Sequence, residues 1–177
     1  PHGGVSPIQE KQMVTQKGDN TFVVAINGNF DQAQSGVKAI FGNKELAKEM
    51  DEKGFQFSSA NSINIGRLIP QVAYYVYAYA KLFAEGKVAK DEKINVVVPT
   101  GNFGNILAAY YAKNMGLPID KLVCASNDNK VLYDFFETGC YDRNREFILT
   151  NSPSMDILIS SNLERLIYKI AENDSEK

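Results

Sequence analysis

A glycine-bracketed loop follows the most apolar short run of the sequence. Residues 94–99 read INVVVP, and residues 101–105 read GNFGN directly after Thr100. Glycines let backbone N–H groups converge without interference from Cβ atoms, and the start of a helix adds partial positive charge. Ligands of open α/β sheets bind at this place, outside the carboxyl end of a strand. The pattern predicts a phosphate cradle, and an ordinary strand-to-helix turn is the alternative interpretation.

The residue pattern of this loop excludes two common kinds of nucleotide-binding site. It lacks the Lys-Ser/Thr pair of a P-loop, and its glycines do not follow the GxGxxG spacing. Neither an NTPase nor a classical dinucleotide-binding protein fits this pattern.

A second segment, SANSINIGR at residues 59–67, collects small polar side chains and Arg67 around the start of a predicted helix. Hydroxyl, amide and guanidinium groups at a helix N-terminus suit an oxyanion such as phosphate. Helix capping by Asn61, Ser62 or Asn64, with Arg67 solvated at the surface, is the alternative interpretation.

Strands and helices should alternate along the chain and position these two segments. Apolar runs predict strands at Phe22–Asn27, Ile94–Pro99 and Lys121–Ser126, with a further short strand at 55–59. Because INVVVP is apolar apart from Asn95, we expect both faces of that strand to be covered. The alternation predicts an α/β fold with a mostly parallel sheet. Helices are predicted after caps at Asp31, Asn43 and Ser161, from Ile69 to Phe83, from the GNFGN loop to about Met115, and over Val131–Glu137.

The composition excludes several other classes of protein. Hydrophobic residues make up 44% and charged residues 23% of the 177, which is ordinary for a globular protein. The net charge of −2 and the lack of a basic run argue against nucleic-acid binding, and no apolar stretch approaches the roughly 18 residues of a membrane span. Two cysteines without a CxxC pair favour a reduced, cytoplasmic protein. A single histidine is too few for a His-based metal site. The sequence starts at Pro1 and not at Met, which suggests a piece of a longer protein.

Five motifs of the sequence, in the same order, resemble those of threonine synthases. These enzymes belong to fold type II of the proteins that use pyridoxal 5′-phosphate (PLP). The resemblance favours threonine synthase over other fold type II members and extends from about Gly4 to Tyr168. The matching segments are VSPIQEKQM, AINGNFDQAQ, SANSINIGR, VPTGNFGN with the following ILAAYYAKNMGLPI, and PSMDILISSNLERL.

The resemblance implies a function and a set of site residues. It implies a PLP-dependent carbon–oxygen lyase acting on phosphates, which converts O-phospho-L-homoserine and water to L-threonine and phosphate in threonine biosynthesis. It also implies an incomplete three-layer fold, with residues 1–60 in the smaller α/β domain and 61–177 in the large PLP-binding domain. The residues implied to bind the cofactor are Gly101, Asn102, Phe103, Gly104 and Asn105, and those implied to bind the substrate are Asn61, Ser62 and Arg67.

One part of the family's pattern has no match in this chain. The family carries its Schiff-base lysine in a segment like F-K-D upstream of these motifs, and no such segment occurs here. We therefore expect no catalytic residue in the chain and no activity of the chain by itself. Another fold type II PLP lyase or synthase, or a non-catalytic phosphate-binding module, are the alternative hypotheses. The sequence gives no indication of the oligomeric state.

Overall fold

The computed structural model describes residues 5–60, 62 and 64–176. The chain divides into two compact units, Pro1–Phe57 and Ser58–Lys177. The assignment of residues 1–60 and 61–177 to a smaller and a large domain stays a prediction.

In its described residues the first unit has three helices, whose N-termini are capped by side chains. They are α1 (Pro7–Val14), α2 (Phe30–Gly42) and α3 (Lys44–Glu52). The predicted cap of α3 is confirmed, because Asn43 Oδ1 accepts from Leu46 N at 3.0 Å. The predicted cap of α2, Asp31, is wrong. Asn29 has that role, because it and Gln32 form a reciprocal capping box with hydrogen bonds of 2.8 and 2.9 Å.

The predicted strands at Phe22–Asn27 and at 55–59 are wrong, because both segments are irregular. The side chains of Phe22 and Val24 are exposed instead of packed. A strand needs a neighbour for its backbone N–H and C=O groups, and the described residues of this unit include no second strand. Apolar composition alone therefore did not make a strand here.

The second unit alternates helices and strands as expected. Its elements are α4 (Ile65–Leu68), a 3₁₀ turn (Ile69–Gln71), α5 (Val72–Ala84), β1 (Ile94–Pro99), α6 (Gly104–Asn114), β2 (Ile119–Ala125), α7 (Val131–Thr138), a second 3₁₀ turn (Pro153–Met155) and α8 (Leu163–Ile170).

The sheet consists, in the described residues, of β1 and β2 in parallel. Pairing runs from Ile94 with Ile119 to Pro99 with Ala125, with one shift of register before Val96, so the two strands end at the same edge. The chain crosses from one strand to the other through α6, the usual connection between parallel strands. The predicted β1 is confirmed, and so is an incomplete α/β fold with a parallel sheet.

The main core lies on one face of the sheet. Val98 of β1 packs there with Leu107 of α6 and Leu132 of α7, all buried. Val97, which points to the other face, is 62% exposed. The expectation that β1 is covered on both faces is therefore wrong within the second unit, whose described helices cover one face. None of the helices in the described ranges has the length and apolar character to cross a membrane.

Candidate functional site

Two hydrogen bonds hold Thr100, the residue between β1 and the GNFGN loop. The backbone N–H of Thr100 donates to the carbonyl of Ala125 at 2.9 Å, which continues the pairing of the strands by one residue. The Thr100 hydroxyl is buried and donates to the carbonyl of Val98 at 2.8 Å. These bonds hold the residue before the loop against the sheet.

Phe103 gives the loop its sharp turn into α6. Its φ is +63°, in the left-handed region, which costs a non-glycine residue about 1–2 kcal/mol. The ring is 4% exposed and packs in the core near Phe136, with ring centroids 6.3 Å apart. Burial of the aromatic ring offsets the backbone strain, since burying a Phe side chain is worth about 1.5–3 kcal/mol.

The first turn of α6 has backbone donors that no side chain caps. Phe103 is the N-cap residue and makes no side-chain cap hydrogen bond. The first N–H groups of an α-helix have no partner within the helix. The earliest amide of α6 that bonds to a described residue is that of Leu107, which donates to the Phe103 carbonyl at 3.1 Å. The amides before it, at Gly104, Asn105 and Ile106, can therefore serve an external acceptor.

Gly104 is where the two predicted phosphate segments meet. A Cβ atom built on Gly104 would lie 2.5 Å from the Ser62 hydroxyl oxygen and 2.6 Å from the Ser62 Cβ. Only glycine fits there without a shift of the chain. The structure thus brings Ser62 beside the loop, although the two segments are distant in sequence.

Gly101 is similarly confined on its own side of the loop. A Cβ atom there would lie 2.8 Å from Ile157 Cδ1 and 3.3 Å from the carbonyl oxygen of Ser154. The segment around residues 154–157 therefore presses directly on the loop.

The remaining predicted cofactor residues have polar side chains that are already held. Asn102 Oδ1 accepts from the backbone N–H and from the hydroxyl of Ser161, at 2.8 and 2.6 Å. Asn105 Oδ1 accepts a hydrogen bond from the hydroxyl of Tyr75 on α5. Burial raises the pKa of the Tyr75 phenol, which keeps it a donor. The side chains of this loop thus serve to fix it, and its backbone is left to bind.

Arg67 is not brought to the loop by any contact of the described residues. Arg67 is exposed on α4, and within the described residues it forms no ion pair. Its backbone carbonyl accepts from the side chain of Gln71 at 2.8 Å. Asn61 lies outside the described residues. The roles of Asn61, Ser62 and Arg67 in substrate binding stay predictions.

Sequence reasoning missed the segment Ser160-Ser161-Asn162, which borders the loop. Ser161 was predicted to cap α8, but its hydroxyl bonds to Asn102, and α8 has no side-chain cap. Asn162 Nδ2 donates to the carbonyl of Asn102 and to the hydroxyl oxygen of Ser62, both at 3.0 Å. The available signal was the polar run SSN inside the fifth motif.

Asp156 of the same motif organises the chain next to Gly101. Its buried carboxylate accepts from Asn127 Nδ2 at 2.7 Å, from Asn129 Nδ2 at 3.1 Å, and from the N–H and hydroxyl of Thr150 at 2.9 and 2.7 Å. Such a set of donors stabilises a buried carboxylate. The network anchors the residue before Ile157, whose side chain contacts the loop at Gly101.

The site contains no described cluster for a metal. No group of three His, Cys, Asp or Glu side chains among the described residues could hold a metal ion. Cys124 lies beside Thr100 at the end of β2, where burial raises the pKa of its thiol and a hydrogen bond with Thr100 opposes that rise. The arrangement as a whole is suited to bind an anion through backbone donors.

The sequence of this chain is similar to those of named proteins over nearly its whole length. No family model matches the chain. It is 47% identical to human "Threonine synthase-like 1" over 178 aligned residues, which cover 99% of this chain and 24% of the relative. It is 46% identical to the threonine synthase of Saccharomyces cerevisiae, over 97% of this chain and 32% of that protein.

Solved structures of threonine synthases are also similar to this chain. The chain matches the crystal structure of Escherichia coli threonine synthase with a TM-score of 0.82 and 34% identity, over 98% of this chain and 38% of that one. It matches PLP-bound threonine synthase from Brucella melitensis with a TM-score of 0.76 and 44% identity, over 96% of this chain and 34% of that one. The chain thus spans about a quarter to somewhat over a third of these proteins. In sequence and in fold it corresponds to a segment of the threonine synthases, and the resemblance predicted from the five motifs is confirmed.

Proposed function

We propose that this chain supplies the phosphate-binding part of a PLP-dependent lyase that converts O-phospho-L-homoserine and water to L-threonine and phosphate. The observation that carries the proposal is the contact of Ser62 with Gly104 at the uncapped start of α6. Two segments suited to oxyanions, one implied for the cofactor and one for the substrate, lie side by side there.

The residues of the loop fit the phosphate group of PLP. Uncapped N–H groups at the start of α6 and the partial positive charge of the helix favour a dianion. Gly104 keeps the approach free of a side chain, since any Cβ would already collide with Ser62. In this proposal Gly101, Asn102, Phe103, Gly104 and Asn105 hold the cofactor phosphate. When bound, PLP would supply an electron sink for proton removal next to the amino group of the substrate.

The substrate phosphate is proposed to bind Asn61, Ser62 and Arg67. Arg67 is suited to this role because its exposed guanidinium is always charged and can donate two parallel N–H bonds to one phosphate. The reaction breaks the Cγ–O bond of the substrate and releases that phosphate. Cβ loses one proton and gains the hydroxyl of water, and Cγ gains a proton in place of the phosphate. The lysine that joins the cofactor is proposed to lie outside this chain, so we expect no phosphate release by the 177 residues alone.

The test changes one residue of each proposed phosphate site in the full-length protein. Gly104→Asp forces a side chain into Ser62 and adds a carboxylate next to the loop amides, so it should abolish the absorbance of bound PLP. The control is Gly36→Asp, which adds the same charge on α2 where a Cβ meets nothing within 4 Å. Retention of PLP by Gly104→Asp would contradict the assignment of the loop.

Arg67→Ala tests the substrate site in the same protein. Loss of a charge-assisted hydrogen bond costs roughly 1.5–3 kcal/mol, so KM for O-phospho-L-homoserine should rise about 10- to 150-fold with PLP retained. Arg143→Ala, which removes another exposed arginine, is the control. An unchanged KM would make Arg67 a surface residue, and loss of PLP would assign it to the cofactor.

A second candidate is another fold type II lyase acting on a phosphorylated amino acid. The observation that favours it is the 47% identity to "Threonine synthase-like 1", which equals that to the yeast threonine synthase within a percentage point. Amino-acid analysis of the products separates the two candidates. Phosphate release with an equal amount of threonine supports the first, and phosphate release without threonine supports the second.

A further inference from the structure

Asn162 links the two proposed phosphate segments through one buried side chain. It is 1% exposed and immediately precedes α8. Its Nδ2 donates to the Asn102 carbonyl on one side and to the Ser62 hydroxyl oxygen on the other, both at 3.0 Å. Its Oδ1 accepts from Arg165 Nη1 at 3.1 Å, and the same Nη1 donates to the Ser62 carbonyl at 3.1 Å.

The hydrogen bonds of this segment also decide where the loop amides point. The carbonyl of Gly101 accepts from the Ser160 hydroxyl, and that of Asn102 accepts from both the N–H and the Nδ2 of Asn162. The described residues contain no cis peptide bond. In a trans peptide the N–H points opposite to the C=O of the same unit. The N–H groups of Asn102 and Phe103 therefore point away from residues 160–162.

We propose that Asn162 is a positioning residue for both phosphates. It fixes the Asn102–Phe103 peptide with its N–H group outward, next to the Gly101–Asn102 peptide that Ser160 holds and the uncapped amides of α6. It also holds Ser62 at a set distance from them. This inference rests on the proposed function above. Loss of the Asn162 amide should therefore weaken binding at the cofactor loop and at the substrate segment together.

The test compares two buried asparagines in the full-length protein. Asn162→Ala removes the amide at the loop. Asn129→Ala removes an equally buried amide, which donates to Ile148 and Asp156 and does not contact the loop. Both variants lose two donated hydrogen bonds, so similar losses of melting temperature are expected and stability is controlled.

The readouts are the dissociation constant of PLP, measured by absorbance, and KM for O-phospho-L-homoserine. Small misplacement of binding groups costs up to about 100-fold, so we expect Asn162→Ala to change both values by about 10- to 100-fold. Asn129→Ala acts on the loop only indirectly, through Asp156 and Ile157, and should change both values much less than Asn162→Ala. Equal effects of the two variants, or no effect of Asn162→Ala, would overturn the positioning role.

A milder variant keeps the test decisive if Asn162→Ala does not fold. Ser161→Ala removes one hydroxyl bond to Asn102 and should weaken PLP binding without changing KM, because Ser161 makes no described hydrogen bond to Ser62. A rise of KM alone would contradict the inference. Failure of the unchanged protein to bind PLP would overturn the proposed function and this role together. Binding of PLP without turnover would overturn the reaction and leave the positioning role to stand on the PLP result.

Discussion

β1 and β2 end side by side, and each leads through a loop into a helix. The polar groups of the two loops nevertheless have different hydrogen-bond partners. After β1, the loop side chains of Asn102 and Asn105 bond to other parts of the chain, and the amides at the start of α6 have no cap. After β2, the side chains of Asn127 and Asn129 converge on the buried carboxylate of Asp156. The loop after β2 binds a carboxylate that a later part of the chain supplies, whereas the amides at the start of α6 have no described acceptor. Equivalent places at a sheet edge therefore do not imply equivalent sites.

The largest expected effect comes from removing the Asp156 carboxylate that the side chains of the loop after β2 bind. Asp156→Ala leaves four donated hydrogen bonds from Asn127, Asn129 and Thr150 without their acceptor. We expect the free energy of unfolding to fall by about 3–5 kcal/mol, measured by chemical denaturation. The control Asp128→Ala removes an exposed carboxylate of the same loop and should change it by less than about 0.5 kcal/mol. A loss below about 1 kcal/mol for Asp156→Ala would break the comparison.

A smaller effect is expected from crowding the first loop at Gly101. Gly101→Ala puts a Cβ 2.8 Å from Ile157 Cδ1 and should lower the free energy of unfolding by about 1–3 kcal/mol. Ile157→Val removes that Cδ1, so the double variant should recover part of the loss. A double-mutant cycle by chemical denaturation measures the coupling. Strict additivity would show that Ile157 does not press on the loop.

The smallest effect concerns the helix that follows the second loop. Asp134 on α7 binds Arg145 Nη1 at 2.6 Å, and this hydrogen bond holds the pKa of the Asp134 carboxyl below its usual value. A lowered folded-state pKa contributes stability above the ordinary pKa, and that stability is lost as the pH falls through the folded-state pKa. Arg145→Gln should therefore be less stable than the unchanged protein at neutral pH, and the difference should shrink in acid to the part that comes from the lost Arg145 Nε bond to the Asp142 carbonyl. A difference that is constant across the acid range would exclude the ion pair as its cause.

The sequence allowed good predictions wherever neighbours in the chain decide the structure. INVVVP became β1 as predicted, and Asn43 caps α3 through a bond to a residue three positions away. The GNFGN loop was also recognisable, because its glycines and its place after a strand are local signals. Phe22–Asn27 has the composition of a strand but no neighbour to pair with among the described residues of its unit, which composition cannot reveal.

The supports of the loop were not predictable by the same reasoning. Ser161 has the spacing of a helix cap, but its hydroxyl bonds to Asn102, 59 residues earlier in the chain. Asn162 bonds to Ser62, 100 residues earlier. Contacts over such separations depend on how the helices pack onto the sheet, and no local pattern encodes them. The sequence thus indicated the binding loop and left its positioning residues unmarked.

The left-handed backbone of Phe103 ties ligand affinity to the folding equilibrium. The ring that holds this conformation is part of the main core, so the loop can keep its shape only while that core is packed. Any ligand that binds the native loop and not the unfolded chain must shift the equilibrium toward the folded state. At a ligand concentration about 100 times its dissociation constant, that linkage amounts to roughly 2.7 kcal/mol. Saturation with an anion should therefore raise the melting temperature, even when unfolding is followed at residues far from the loop.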